Sequence, residues 1–181
     1  IPSPQIFHNK YNDSLLYSLL WNNFEIKETY ISSMIDLEEY DDPIKFLNPR
    51  KQRYVKNLKN NQDIITKWCN NIDDFYPILC KNKKMHDSIP THTLEELKKL
   101  MEIMPDAFSL LITYHNKIPI GGTFNFIANK RGAIIFYNMI DYNYIKYNHA
   151  TYQLYKTIEW SKSMNFRFLD FQIFRISRFP D

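Results

Sequence analysis

The chain has 181 residues, of which 44% are hydrophobic and 16% aromatic, so it is long enough for one domain, residues 1–181, with a substantial core. Its net charge of +3 permits an anionic ligand but falls short of the charge typical of nucleic-acid-binding domains. No apolar run approaches the roughly 18 residues of a membrane span, and the first residues lack the order of a signal peptide. We therefore expect a cytoplasmic protein without a membrane span.

Cysteine and glycine positions exclude several kinds of site. Cys69 and Cys80 lie in apolar segments, where buried thiols are usual, and the absence of CxxC or HxxxH spacing predicts that no metal is bound.

The three glycines, Gly121, Gly122 and Gly132, lie within or beside predicted strands. A P-loop or dinucleotide fingerprint needs glycines at a strand-to-helix turn, so kinase and Rossmann folds are excluded. Gly121-Gly122 instead predicts a bulge or a close backbone approach.

The first 61 residues predict an N-terminal extension. We expect a helix at Ser14–Trp21, an extended pair around Phe24–Leu37 and a basic helix at Arg50–Lys56. A short strand at Gln62–Cys69 then begins the core of the domain.

Two helices are predicted after this strand. The first is Phe75–Lys81, with Asn71 or Asp73 as its cap. The second begins after Thr93 and carries leucines and methionines on one face as far as the next proline. Glu96, three positions after Thr93, completes the pattern of a capping box.

The last half of the chain predicts an antiparallel meander, one helix and a final strand. The meander strands are Ala107–Tyr114, Ile118–Ile127 and Ala133–Asp141, which are rich in β-branched and aromatic residues and joined by short polar connections. Helical periodicity covers Asn148–Met164, and the final strand is Phe166–Ile173.

This order of elements resembles the GNAT acyltransferase superfamily, and within it the FemAB-like branch. The resemblance rests on residues 62–173 and on these segments: Ile120-Gly121-Gly122-Thr123, Phe136-Tyr137, Ile158-Glu159-Trp160, Phe168-Leu169-Asp170-Phe171 and the basic Arg50–Lys56. It implies an α/β fold with a central mixed, mostly antiparallel sheet flanked by helices.

The resemblance also implies N-acyl transfer from an acyl-coenzyme A, usually acetyl-CoA, to a primary amine of a small molecule, amino sugar or peptide. Two alternatives stay open. A FemAB-like enzyme would use an aminoacyl-tRNA donor, although such enzymes typically carry two GNAT-like halves, and a GNAT-like fold can persist as a noncatalytic binding module. Otherwise nucleic acid is not an expected partner, and a homodimer is left open.

In this superfamily the donor phosphates meet backbone amides in the turn before the helix, here Tyr142–Ala150. The family pattern of Gln or Arg, two residues, Gly, one residue, and Gly or Ala aligns with Ile145, Asn148 and Ala150, so two positions depart. A left-handed Asn148 would replace the missing glycine, and Lys146 would add charge. The predicted donor-binding residues are Met139, Ile140, Lys146, Asn148, Ala150 and Thr151. Alternatively, the turn is a tyrosine-rich surface connection in which Asn148 only caps the helix.

Aminolysis of a thioester needs a base for the amine and an acid for the thiol. Asp141, Tyr137 and His149 are the catalytic candidates, because they lie at the end of a strand and in the first turn of the next helix. The structural alternatives are a turn residue for Asp141, a core aromatic for Tyr137 and a surface residue for His149.

Residues between the two middle helices and on the basic helix are candidates for acceptor binding. His86 and His92 flank the turn that lines the acceptor cleft in GNAT relatives, although a solvated polar loop has the same composition. Arg50 and Arg53, three residues apart, would share a helix face and grip a phosphate or carboxylate. As charges on an exposed helix they equally need no ligand.

Overall fold

The computed structural model describes residues 13–26 and 30–175. Within them the strands are β1 (Tyr30–Asp36), β2 (Ile64–Trp68), β3 (Phe108–His115), β4 (Ile118–Asn129), β5 (Gly132–Ile140) and β6 (Phe168–Arg175). The α-helices are α1 (Ser14–Trp21), α2 (Pro49–Lys59), α3 (Ile72–Lys84), α4 (Leu94–Ile103) and α5 (His149–Ser163). Short 3-10 helices cover Pro43–Phe46, Pro105–Ala107 and Tyr142–Tyr147.

All six strands form one sheet in the order β1-β6-β5-β4-β3-β2. Neighbouring strands are antiparallel except β5 and β6, which are parallel because α5 connects them as a crossover. The predicted mixed, mostly antiparallel sheet with flanking helices is therefore confirmed.

One predicted element is wrong in its pairing. Among the described residues, the expected extended pair around Phe24–Leu37 contains one strand, β1, and residues 27–29 of the predicted pair lie outside them. This strand pairs with β6, from Asp36 opposite Phe168 onward, and so joins the sheet of the core. Its partner is far away in the sequence, and local pattern carries no information about such pairing.

Helices cover both faces of the sheet. On one face, α3 and α4 enclose a core around Phe75, Leu97 and Phe124. The predicted capping box of α4 is confirmed, since Thr93 and Glu96 each accept a hydrogen bond from the other's backbone amide. On the opposite face, α5 packs on the sheet and α2 packs on α5.

Bulges interrupt the central strands at three places, and two of them lie near the residues of interest. In β4, Thr113 pairs with Gly121 but Tyr114 pairs with Pro119, so Ile120 is an extra residue. In β5, Phe136 is the extra residue. A bulge reverses the alternation of side chains between the two faces of a sheet.

The helix α5 approaches β4 very closely at Gly121. A β-carbon at this position would lie 2.9 Å from the His149 ring and would collide with the Gln153 side chain. The two predicted alternatives, a bulge or a close backbone approach, are both present: Ile120 is bulged beside Gly121, and a β-carbon on Gly122 would lie 2.5 Å from the Leu111 carbonyl oxygen.

We expect Gly121→Ala to destabilise the fold by about 1–3 kcal/mol, because the added methyl group overpacks the contact with α5. Urea denaturation of the wild type and the variant measures the change. Adding Gln153→Ala to Gly121→Ala should recover part of the loss, since Gln153 supplies the nearest colliding atom. An unchanged midpoint for Gly121→Ala would contradict the packing described here.

Candidate functional site

The strands β5 and β6 separate after a short parallel ladder. Pairing joins residues 132–134 to residues 168–170, and among the described residues it goes no farther, although both strands continue. Beyond this point the side chain of Asn138 in β5 is exposed, even though β5 is an inner strand. We call the space between the diverging strands the β5–β6 gap.

The bulge in β5 changes the face on which Tyr137 lies. Ile135 packs in the core under α5, whereas Tyr137 and Met139 pack on the opposite face with α3 and α4. Without the extra residue Phe136, these odd-numbered side chains would share one face. The bulge therefore places the tyrosine at the start of the β5–β6 gap, on the face covered by α3 and α4.

Tyr137 belongs to a group of polar and aromatic side chains, which we call the His92 group. The ring of Phe136 contacts both Tyr137 and His92, at centroid distances of 4.7 and 5.7 Å. The Nζ atom of Lys83 lies 5.8 Å from the Tyr137 ring centroid, and the Tyr76 hydroxyl donates to the His92 carbonyl at 3.2 Å. The structure thus joins the catalytic candidate Tyr137 to the acceptor candidate His92.

Two polar atoms of the His92 group are buried without a hydrogen-bond partner among the described residues. They are the Tyr137 hydroxyl oxygen and the His92 Nδ1. Tyr137 is only 6% exposed, so water does not freely solvate its hydroxyl group. Leaving such groups unpaired costs about 1–3 kcal/mol each, so each needs an explanation, such as a catalytic role or a bound water.

The turn between β5 and α5, residues 141–149, is tied to α3 at its beginning. Lys81 donates to both carboxylate oxygens of Asp141 at 2.8 Å, and Asn82 donates to the Ile140 carbonyl at 3.1 Å. The Asn143 amide also donates to the carboxylate at 3.0 Å. Burial acts to raise the pKa of Asp141, but these hydrogen bonds and the Lys81 charge lower it below the ordinary value. A carboxylate paired in this way is a weak base, which favours the structural alternative for Asp141.

His149 lies at the first residue of α5 and is completely buried. The alternative of a surface residue is therefore wrong, because the space above Gly121 admits the ring. Its Nε2 atom is 3.0 Å from the Ile120 carbonyl oxygen, which also accepts the Asp141 amide at 2.7 Å. Burial lowers the pKa of His149 below its ordinary value, although the Ile120 and Tyr144 backbone groups and the Asp141 charge oppose this shift.

Of the other predicted donor-binding residues, Met139 and Ile140 are the last two residues of β5, whereas Lys146, Asn148, Ala150 and Thr151 lie in this turn or at the start of α5. Asn148 is left-handed, with φ 54° and ψ 30°, as the missing glycine requires, and its side chain does not cap the helix but donates to the Lys146 carbonyl at 3.2 Å. The Lys146 side chain is exposed, and Ala150 and Thr151 form the first turn of α5, where helix amides lack intrahelical acceptors. A left-handed turn, an exposed cation and a helix N-terminus fit a phosphate group.

The remaining acceptor candidates lie on exposed parts of the chain. His86 is in the exposed turn after α3, and Arg50 and Arg53 are on the exposed face of α2. Between residues 49 and 62 there are five Lys and Arg residues and no Asp or Glu, so α2 carries a basic surface. The buried Leu58 of α2 packs near the tyrosines of the turn, which puts this surface beside the turn.

Sequence reasoning missed the Ile120 carbonyl and the buried polar face of α5. His149, Gln153, Thr157 and Ser161 are fully buried at intervals of four residues, and Gln153 donates to the Thr113 hydroxyl at 3.2 Å. Polar residues at helical spacing were the available signal. No cluster of metal-ligating side chains occurs within the described ranges, and no helix there has the length and hydrophobicity to cross a membrane.

No protein-family model and no curated protein matches the sequence. The structure matches the crystal structure of FemX with a TM-score of 0.71 and 12% identity, over 92% of this chain and 61% of that chain. It matches the C-terminal domain of a putative lysylphosphatidylglycerol synthetase from Agrobacterium fabrum with a TM-score of 0.61 and 6% identity. This match covers 89% of this chain and 52% of that chain. A GNAT family acetyltransferase from Staphylococcus aureus matches with a TM-score of 0.45 and 22% identity. This match covers 59% of this chain and 83% of that chain. The chain thus spans only about three fifths of FemX and half of the synthetase domain.

We predict that wild-type stability falls, relative to His149→Gln, as the pH drops below about 6.5, the ordinary pKa of histidine. The unfolded chain then binds a proton that the folded chain resists, because the folded-state pKa of His149 is lowered. The loss should reach at most about 1.4 kcal/mol per pH unit and stop below the folded-state pKa. Urea denaturation at about pH 7, 6 and 5 measures it, and parallel curves for the two proteins would contradict the prediction.

Proposed function

We propose that this chain, which has the fold of the GNAT superfamily and resembles FemX over most of its length, is an N-acyltransferase. The proposed donor is an acyl-coenzyme A, with acetyl-CoA as the first candidate, and the acceptor is a primary amine of a small molecule, an amino sugar or a peptide. The observation that carries the proposal is a pair of buried, unpartnered polar atoms, one on Tyr137 at the start of the β5–β6 gap and one on His92, whose rings both contact Phe136.

The chemistry needs one proton acceptor and one proton donor. The amine nitrogen forms a bond to the thioester carbonyl carbon, the carbon–sulfur bond breaks, and the amine proton leaves while the thiolate gains a proton. A histidine nitrogen can accept the first proton and a tyrosine hydroxyl can supply the second. His92 is assigned the base role and Tyr137 the acid role, because each has a free polar atom in one group.

The donor's phosphates are assigned to the turn that ends at Asn148. Support comes from its left-handed conformation, the exposed Lys146 and the N-terminus of α5. Tyr137 of the His92 group lies in the part of β5 that borders the β5–β6 gap. The same strand then continues into the turn. One extended thioester could therefore reach from the turn to Tyr137.

The donor assignment predicts that acetyl-CoA and CoA stabilise the chain. Ligand at about 100 times its dissociation constant adds roughly 2.7 kcal/mol, or on the order of 5–10 °C in melting temperature. A thermal-shift titration measures this, with dephospho-CoA as the control for the phosphate groups. The absence of any shift at millimolar ligand would rule out the CoA donor and favour a noncatalytic binding module or an aminoacyl-tRNA donor.

If Tyr137 is the acid, Tyr137→Phe should lower the activity without lowering the stability of the fold. Removing an unpartnered hydroxyl should leave the unfolding free energy unchanged or raise it by about 1 kcal/mol, yet lower acyl transfer at least tenfold. Urea denaturation and release of free CoA thiol with a panel of amines measure the two effects.

A matched control for this variant is Tyr155→Phe. The Tyr155 hydroxyl accepts from Lys59 at 2.8 Å and donates to Glu159 at 2.9 Å, so its removal should cost about 1–2 kcal/mol. If Tyr137→Phe destabilises the fold as much as Tyr155→Phe does, the Tyr137 hydroxyl is a structural group and its assignment as the acid is wrong.

A second candidate function is transfer from an aminoacyl-tRNA, which the basic surface of α2 favours. The affinity for tRNA should then fall steeply with salt, because each phosphate contact releases counterions. Arg53→Gln combined with Lys56→Gln should reduce the slope of log affinity against log salt by about 2. A salt-independent or undetectable interaction would remove this candidate.

A further inference from the structure

We infer that His149 is a positioning residue: its imidazole donates from Nε2 to the Ile120 carbonyl and thereby sets the shape of the turn before α5. The inference rests on the proposed function only for what binds at the turn. The hydrogen bond and its effect on the turn are properties of the folded chain, whatever the donor is.

The main observation is that one oxygen atom holds both ends of the turn. The Ile120 carbonyl accepts the Asp141 amide at 2.7 Å, where the turn begins, and lies 3.0 Å from His149 Nε2, where the turn ends. A carbonyl oxygen has two lone pairs, so it can accept both donors at once. Ile120 is the bulged residue of β4 in its pairing with β3, and its carbonyl oxygen bonds on the β5 side, one position beyond the pair of Gly121 with Ile140.

The middle of the turn is held on one side only: Tyr144 and Tyr147 pack against the buried cluster around Ile120 and against the His115 ring, and the Tyr147 hydroxyl lies 3.1 Å from His115 Nε2. Tyr142, Ile145 and Lys146 are exposed. The left-handed Asn148 directly precedes His149, so a shift of the imidazole ring would be transmitted to the backbone that is assigned to phosphate binding. Holding the ring therefore holds this backbone.

The surroundings of the ring argue against direct contact with a substrate, although its Nδ1 atom, like that of His92, has no hydrogen-bond partner among the described residues. His149 is completely buried, lies against Gly121 and Gln153, and already uses Nε2 as a donor. A general base must reach the proton that it removes, and a fully buried ring directed at a backbone carbonyl does not reach a substrate. The candidate catalytic role of His149 is therefore replaced by a structural connection between β4 and the turn.

The first test is the tautomer of His149 in the wild-type protein, read by long-range proton–nitrogen NMR at neutral pH. We expect a neutral ring with its proton on Nε2 and slow exchange of that proton with water. A proton on Nδ1, or rapid exchange with water, would overturn the inference without any variant having to fold.

The second test is hydrogen exchange of peptides that cover the turn, residues 142–151, in His149→Gln and His149→Leu. The glutamine amide can donate from about the same position as Nε2, whereas leucine fills the space without donating. Exchange in the turn should rise about tenfold or more in His149→Leu and stay near the wild-type rate in His149→Gln. Exchange in β3 is the internal control and should stay unchanged in both.

Two results would contradict the positioning role. Unchanged exchange in His149→Leu would show that the hydrogen bond does not hold the turn, and equal acceleration in both variants would assign the effect to ring shape.

Acetyl-CoA affinity, measured on the same proteins, separates this inference from the donor assignment. If the wild type does not bind acetyl-CoA, the donor assignment fails while the exchange result still decides the role of His149; if it binds, His149→Leu should weaken binding at least tenfold and His149→Gln should restore it.

Discussion

An antiparallel strand alternates its side chains between two faces, and an extra residue reverses that alternation at one point. Both regions of interest in this protein depend on this constraint. The extra residue Ile120 in β4 presents a carbonyl that both ends of the turn share. The extra residue Phe136 in β5 moves Tyr137 to the face of α3 and α4, and its own ring contacts both Tyr137 and His92. Two irregular positions in neighbouring strands thus connect a regular sheet to a turn and to a buried polar group.

The face of α5 that packs on the sheet is polar, which is costly unless its groups are hydrogen-bonded. Several of them are: the Thr157 hydroxyl donates to the Gln153 carbonyl at 3.0 Å and lies 3.2 Å from the Thr123 hydroxyl, and Gln153 donates to Thr113. Such bonds have directions and lengths, whereas apolar packing tolerates sliding. The polar face therefore holds α5 on the sheet and also fixes its position along the strands. This position keeps His149 above Gly121.

Helices and strands were predictable to within a few residues because their signals are local. Thr93 and Glu96 mark the start of α4, and the abundance of β-branched and aromatic residues marks the meander. The bulge at Phe136 was not predictable, since it is a property of pairing between strands. The burial of His149 was also missed, because it depends on a glycine in β4 rather than on the polar turn around the histidine. The partner of β1 was missed for the same reason.

The pairing of β1 with β6 has a consequence for synthesis of the chain. Asp36 lies opposite Phe168, so the first strand of the sheet has no neighbour until the last one has left the ribosome. The meander of β3, β4 and β5 has local contacts and can form earlier, whereas closing the sheet at β6 requires the longest loop and should be slow. During that interval the edge of β5 is an unpaired strand, which is the kind of surface that chaperones protect from aggregation.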